Sequence, residues 1–373
     1  MKPIILFASA SPYDARIGGV DRVIRVLRTA LEERGYTTLY FNPTPDASYD
    51  DNLAKYRAFI KDNKISVVIN QTGLLGLSKL FLSTGATDVK TISVLHNDPR
   101  AGLMRLWAFF SERRNSSVIE LVKRVIRIGL FPYFFYKERK NLIAHFEFLG
   151  SNSDKIVLLS DSFKPYVADL SHAASIKSIS IPNPNTYREE ELNKPCVKER
   201  IILYVGRLDN YSKRVDLLLK IWREASRVLL DWRLILVGTG PDELALKEMS
   251  AALRLERIEF VGHQNPRRFY EMASVLCLTS RFEGFGMVLT EAQQYGVVPI
   301  AFQSYASVTD IIQHGETGIL VKPFQLKTYV KELVKVCQND NIRKYMSTQA
   351  QNSVRKFDVD IVVSKWINLL ENI

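Results

Sequence analysis

Cysteine is scarce in this chain of 373 residues: there are three, Cys196, Cys277 and Cys337, and none stands in a CxxC pair. That argues against a disulfide framework or a structural zinc site and fits a reducing cytoplasm. Long apolar runs are missing too. No uninterrupted stretch reaches the roughly 20 residues that span a bilayer. The opening "PIILFASA" is too short, and too soon followed by charge, to be expected as a secretory leader. There is no GxGxxG turn, and no acidic residue follows the first glycines at the spacing that binds a ribose, so a nicotinamide cofactor is not expected. Short-period repeats, low-complexity tracts and recognised DNA or RNA motifs are also absent.

What is present is enough chain for two domains, each with its own core. Apolar residues make up 46% and charged residues 24%, ordinary values for a globular protein. The net charge of +11 is unevenly placed. Between Arg100 and Lys140 ten basic residues face three acidic ones, a net +7, interleaved with eight aromatics in "LWAFF" and "LFPYFFY". Within this segment "VIELVKRVIRIGLF" repeats Val118, Leu121, Val122, Val125 and Ile128 at helical spacing, while Lys123, Arg124 and Arg127 fall mostly off that stripe. A helix of this kind suits an anionic membrane surface. Single-stranded nucleic acid is a weaker fit, and a core helix pair with solvated charges is the bland alternative. The membrane reading is preferred and no nucleic-acid partner is expected.

Strands and helices alternate along the whole chain. "KPIILFAS", "TTLYFN", "ISVVIN", "TISVLH", "KIVLLSD" and "IKSISIPN" read as strands, with a helix over Gly19–Arg34 closed by Gly35 and another near Asp51–Asp62. After the proline-rich, polar stretch Pro182–Pro195 the alternation restarts with "RIILYVGRL", "WRLILVGTG", "IEFVGH", "SVLCLTS", "VVPIAF" and "TGILVKP". The expected fold is α/β: two doubly wound, Rossmann-like domains facing across a cleft, with ligands at the carboxyl ends of the strands. The domains are expected at 1–184 and 185–357, with a terminal helix, 358–373, packing back on the first.

The most informative stretch is "RFEGFGMVLTEA", residues 281–292. A buried strand precedes it, and a helix from Met287 to Tyr295 follows, closed by Gly296. Glu291 borders the buried side of that helix. Gly284, Phe285 and Gly286 offer no side-chain oxygen to the first free N–H groups of the helix. Such a terminus, in a glycine loop at a strand's carboxyl end, is a site for an anion such as phosphate. A plain glycine turn with two solvated glutamates is the competing reading. In "VGRLDNYSKRVDLLL", Arg207 follows a strand end, and Lys213 and Arg214 stand just before an amphipathic helix, where cations can neutralise a diphosphate. Gly18 and Gly19 lie between the first strand and helix and permit close approach of a ligand. His96 ends a strand of the first half. Each of these, alone, also has an ordinary structural explanation.

Together the stretches "YVGRL…KRVDLLL", "LILVGTGP", "FVGH", "LTSRFEGFGMVLTEAQQYGVVPIAF" and "GETGILV" resemble the retaining glycosyltransferases of family 4, which have the GT-B fold and a Glu-x7-Glu signature, here Glu283 and Glu291. The likeness covers nearly all of the second half and is weaker in the first, where it rests on Gly18–Gly19, His96 and "IPNP". It implies a nucleotide-sugar donor, UDP by default, as co-substrate, with no cofactor and no metal. By that resemblance Arg207 and Lys213 hold the diphosphate, Glu291 the ribose and Glu283 the sugar hydroxyls. Backbone N–H groups from Phe285 through Met287 and Val288 to Leu289 contact sugar and phosphate, with Gly238 and His263 also on the donor side. Gly18–Gly19 approach the diphosphate, and His96 and Glu283 stand near the reacting sugar. The family's acceptor domain is variable, and the basic aromatic segment is what a glycan acceptor on a polyprenyl lipid or lipopolysaccharide at the inner face of the cell membrane, in surface polysaccharide or lipopolysaccharide synthesis, would explain. A soluble acceptor, a non-catalytic sugar-nucleotide binder and a nucleotide-sugar 2-epimerase are the alternatives. "DVD" (Asp358–Asp360) could suggest a metal, but Asp358 reads as a helix N-terminal residue instead.

Overall fold

The computed structural model describes residues 2–10, 19–73, 75–111, 118–192 and 197–373; the side chains of 75, 111, 118–124, 126, 127, 190 and 191 lie outside the description. Two compact units account for the chain: 1–182 together with 364–373, and 183–363.

The first unit is a parallel sheet of β1 (Ile4–Ala8), β2 (Thr37–Phe41), β3 (Val67–Asn70), β4 (Lys90–Leu95), β5 (Lys155–Leu158) and β6 (Ser178–Ser180), in the order β2-β1-β3-β4-β5-β6. Its helices are α1 (Gly19–Glu32), α2 (Tyr49–Asp62), α3 (Leu75–Leu82), α4 (Ala101–Ser111), α5 (Val118–Asn152), α6 (Lys164–Leu170) and α7 (His172–Lys177). β1 and β3 are apolar almost throughout because helices cover both sheet faces, which demands unbroken apolar runs rather than alternation. α2 is entered through Ser48, whose hydroxyl accepts from the Asp51 N–H. Tyr56 of α2 is buried and donates to the Phe81 carbonyl at 2.6 Å, locking that helix to the end of α3.

The second unit begins with a single turn, α8 (Glu189–Leu192), inside the stretch read as a linker. It continues through β7 (Ile201–Val205), α9 (Val215–Ala225), β8 (Arg233–Val237), α10 (Glu243–Ala252), β9 (Ile258–Phe260), α11 (Arg267–Met272), β10 (Val275–Leu278), α12 (Met287–Gln294), β11 (Val298–Phe302), α13 (Val308–Ile311), β12 (Ile319–Val321), α14 (Leu326–Gln338) and α15 (Asp340–Val354). The sheet is parallel, in the order β12-β11-β10-β7-β8-β9, and its core is built around Trp222, Tyr204, Phe302 and Tyr329. The last helix, α16 (Val359–Glu371), crosses the division: residues from Ser364 onward belong with the first unit, where Glu371 accepts from the Tyr36 hydroxyl at 3.3 Å.

Both sheets reverse direction once. The chain leaves β1 for β2 on one side and returns to β3 on the other, and in the second sheet β7 leads to β8 while its other neighbour, β10, leads to β11. Crevices outside the strand ends at such reversals are where open α/β sheets bind ligands.

Candidate active site

The second reversal is built by the loops after β7 and β10. Tyr204, buried in β7, donates to the Arg207 carbonyl at 2.9 Å and fixes the path just past Gly206. Asp209 then turns the chain by accepting the N–H groups of Tyr211 and Ser212 at 2.8 and 3.1 Å, and it also takes the Arg207 guanidinium. Burial alone would raise the Asp209 pKa; the Ser212 N–H and the Arg207 charge outweigh it and leave the carboxyl below its ordinary value. Arg214 sits in the left-handed region (φ 52°) and forks onto Asp216 at 2.9 and 3.0 Å, so that cation is committed within the loop.

Lys213 is the cation carried to the reversal. Its carbonyl accepts the Thr279 hydroxyl at 3.1 Å, and the Arg281 N–H donates to the Ser212 carbonyl at 2.7 Å, so the two loops are stitched together. Its ammonium meets the carboxylate of Glu283, which also accepts the Ser280 hydroxyl at 2.7 Å. Both side chains are mostly buried, 22% exposed for Lys213 and 12% for Glu283. Two residues read separately from the sequence therefore form one ion pair at the carboxyl edge.

Directly after Glu283 the chain runs into α12 through Gly286, at φ 98°, and no side chain caps the helix. A Cβ on Gly286 would lie 2.8 Å from the buried Tyr305 hydroxyl, so the close approach needs glycine as much as the dihedral does. Ser307 holds the Gly284 and Phe285 carbonyls at 3.0 and 3.3 Å. Phe285 is buried against the Phe357 ring, 5.4 Å between centroids, and Leu289 is buried too, whereas Met287 and Val288 are partly exposed. The side chains of the run 285–289 thus anchor the turn and leave its backbone at the sheet edge.

Glu291 is fully buried, its two carboxylate oxygens accepting the Thr186 hydroxyl at 2.7 Å and the Tyr270 hydroxyl at 2.8 Å. Gln294 donates to the Tyr187 carbonyl at 2.6 Å, so the segment 186–187 is pinned along α12. Gly238 has a structural reason of its own: at φ 140° a Cβ would stand 2.0 Å from the Gly206 carbonyl oxygen. His263 is exposed in the loop after β9. Asp358 precedes α16 and accepts the Asn185 amide at 2.8 Å. Among the described residues no group of three or more His, Cys, Asp or Glu is arranged to hold a metal ion.

In the first unit, His96 follows β4 and Gln71 follows β3. The His96 Nε2 lies 2.5 Å from Gln71 Oε1, which makes Nε2–H the donor and leaves Nδ1 as the acceptor of the ring. Burial pushes the imidazole down to about 4, so it is neutral at physiological pH. The Gln71 Nε2 is buried and has no partner among the described residues. Gly19 is the exposed first residue of α1, and Gly18 lies outside the described residues. Lys123, Arg124 and Arg127 lie in α5, their side chains outside the description. Gln71, Thr186, Tyr270, Ser280 and Tyr305 escaped the sequence reading. Ser280, three residues before Glu283, carried the one usable signal; the others reach their partners only through the fold.

Residues 188–353 match the family described as Glycosyl transferases group 1. An uncharacterized glycosyltransferase of Haemophilus influenzae is 32% identical over 359 residues, covering 95% of this chain and 96% of its own. The GalNAc-alpha-(1->4)-GalNAc-alpha-(1->3)-diNAcBac-PP-undecaprenol alpha-1,4-N-acetyl-D-galactosaminyltransferase of Campylobacter jejuni is 27% identical over 195 residues, 51% of this chain and 54% of its own. The crystal structure of Anabaena Alr3699/HepE in complex with UDP and glucose superposes over 100% of both chains with a TM-score of 0.74 at 15% identity, a likeness of fold. Fold and relatives together define a glycosyltransferase with the GT-B pair of doubly wound domains. The chain belongs to the glycosyl transferases group 1.

Proposed function

We propose that the chain moves a hexose or N-acetylhexosamine, with retention at the anomeric carbon, from a nucleotide diphosphate sugar to a hydroxyl of a lipid-linked glycan. The observation that carries this reading is the Lys213–Glu283 pair at the reversal of the second sheet, followed at once by the uncapped start of α12. Breaking the anomeric C–O bond leaves its electron pair on the departing diphosphate oxygen, while the acceptor oxygen forms the new bond on the same face and its proton passes to that diphosphate oxygen. The growing negative charge is met by Lys213, by Arg207, whose side chain is 63% exposed, and by the N–H groups at the start of α12. Positive charge from these groups supplies the neutralisation that a divalent ion gives elsewhere, so the mechanism is read as metal-independent. With Lys213 turned to phosphate, the Glu283 carboxylate is released to accept sugar hydroxyls. Glu291, which accepts the Thr186 and Tyr270 hydroxyls, is read as the acceptor of the ribose hydroxyls. UDP is the default nucleotide. The Campylobacter relative, by its name, acts on an undecaprenyl-diphosphate glycan, which supports a polyprenyl-linked acceptor here, reached at the inner face of the membrane.

Calorimetric titration with free nucleoside diphosphate and with the intact nucleotide-sugar tests the two-ended grip. Glu291→Gln is expected to weaken both ligands, because a ribose is present in each. Glu283→Gln is expected to spare the free diphosphate and weaken the donor or its transfer. Equal losses for both ligands in both variants would overturn the assignment.

A further inference from the structure

Between Val125 and Tyr136, helix α5 carries apolar residues on the side turned to water, whereas farther along Phe146 and Leu149 are buried. Val125, Ile128, Tyr133 and Tyr136 recur at the 3.6-residue period, and they are 64%, 54%, 62% and 69% exposed; Gly129 and Pro132 fill the positions between them on the same face. This outward stripe runs three turns, about 16 Å at 1.5 Å per residue. The opposite side of the helix satisfies the packing: Phe131 and Phe134 meet the buried Phe110 of α4, ring centroids 5.4 and 5.8 Å apart. α4 adds Trp107, 60% exposed, one turn before Phe110. The stripe ends among cations. Lys137 and Lys140 are exposed, while Arg139, on the neighbouring side, is taken up by Asp169 at 3.1 Å. Contiguous apolar surface of this kind is rarely left to water. A stripe of aliphatic and tyrosine side chains bordered by lysines matches the boundary between acyl chains and anionic headgroups. No helix among the described residues is long and apolar enough to cross a membrane.

We infer that the outward face of α4 and α5 docks on an anionic lipid bilayer, with the α5 stripe at the level of the acyl boundary and Lys137 and Lys140 at the headgroups. The choice of a bilayer as partner rests in part on the lipid-linked acceptor proposed above; the docking itself is measured without donor or acceptor. It also makes the basic aromatic segment a second binding surface, on a different unit from the Lys213–Glu283 site.

The test is co-sedimentation of the full chain with vesicles of mixed phosphatidylglycerol and phosphatidylcholine, and with phosphatidylcholine alone. Wild type is expected to sediment with the anionic vesicles and much less with the neutral ones, and raised salt should release part of it. Replacing Ile128, Tyr133 and Tyr136 together by Ser should weaken partitioning about tenfold or more. Lys137→Ser with Lys140→Ser should reduce the preference for anionic lipid. Helical circular dichroism and nucleoside diphosphate affinity, both expected to be unchanged, show that the variants are folded. The inference is overturned if wild type ignores anionic vesicles at low salt, or if the triple variant binds them as tightly as wild type does. It is equally overturned if the stripe instead mediates self-association in sedimentation velocity, abolished by the triple variant, with no vesicle binding. Loss of transfer activity alone leaves these readings unmoved, so failure of the docking and failure of the catalytic reading are told apart.

Discussion

Replacing Lys213 by Ala separates two roles that the structure places on one side chain. In the free protein Lys213 neutralises Glu283, which without it keeps, among the described residues, the Ser280 hydroxyl. Breaking a fully buried ion pair costs about 3–5 kcal/mol and an exposed one about 0–1 kcal/mol. With 22% and 12% of the two side chains exposed, the pair falls between these limits, and Lys213→Ala is expected to destabilise the fold by roughly 2 kcal/mol. Adding Glu283→Gln removes the stranded charge, so the double variant should recover about 1 kcal/mol of that loss in denaturant titrations. Transfer is expected to behave otherwise. Loss of one preorganised contact to a developing anion costs about 2.7–4 kcal/mol, or 10²–10³ in rate, and the second substitution cannot restore it. The assay is nucleotide release under saturating donor, alongside stability measured on the same preparations. A double variant that regained both stability and turnover would show Lys213 to be only a structural partner of Glu283, and its place on the diphosphate would be refuted.

Acidification probes His96. Its pKa is lowered to about 4 from an ordinary 6.5, so between those values the unfolded chain binds the proton that the folded chain refuses. Stability therefore falls as pH drops through that window, by about 2 kcal/mol at pH 5 from this group alone. His96→Asn should lose correspondingly less between pH 7 and pH 5; an identical loss in both proteins would contradict a neutral, partly buried ring. Gly238→Ala would place a Cβ 2.0 Å from the Gly206 carbonyl, displacing the loops after β7 and β8. Donor affinity should drop along with thermal stability, and a variant indistinguishable from wild type in both would show that the two loops are not held by this approach.

Much of the architecture was legible because buried parallel strands leave a plain mark. Segments such as "VVPIAF" and "ISVVIN" are apolar without alternation, and each lies where a sheet covered on both faces requires it. The uncapped start of α12 was legible for a related reason, since Gly284, Phe285 and Gly286 have no oxygen to offer. What was not legible was the pairing of distant residues. Lys213 and Glu283 are 70 positions apart, and Thr186 and Glu291 are 105 apart; only the sheet order brings them together. α5 also outran its sequence pattern. The helical spacing read through Phe131 continues to Asn152 past Pro132, a residue that lacks an N–H, and on either side of it Phe131 and Phe134 pack against Phe110 of α4. Its segment was open to three readings from the sequence alone, and the exposure of Val125 and Ile128 removes the core reading for those two residues.

Mass spectrometry of the products formed from a panel of nucleotide-sugars, with membranes or extracted lipid-linked glycans as acceptor and a chelator present, tests the central claim most directly. One donor is expected to yield free nucleoside diphosphate together with an acceptor heavier by a single hexose or N-acetylhexosamine residue, a product strongly reduced in Lys213→Ala. Absence of any glycosylated product from the folded wild type across the panel, or a product formed equally well by Lys213→Ala, would contradict it.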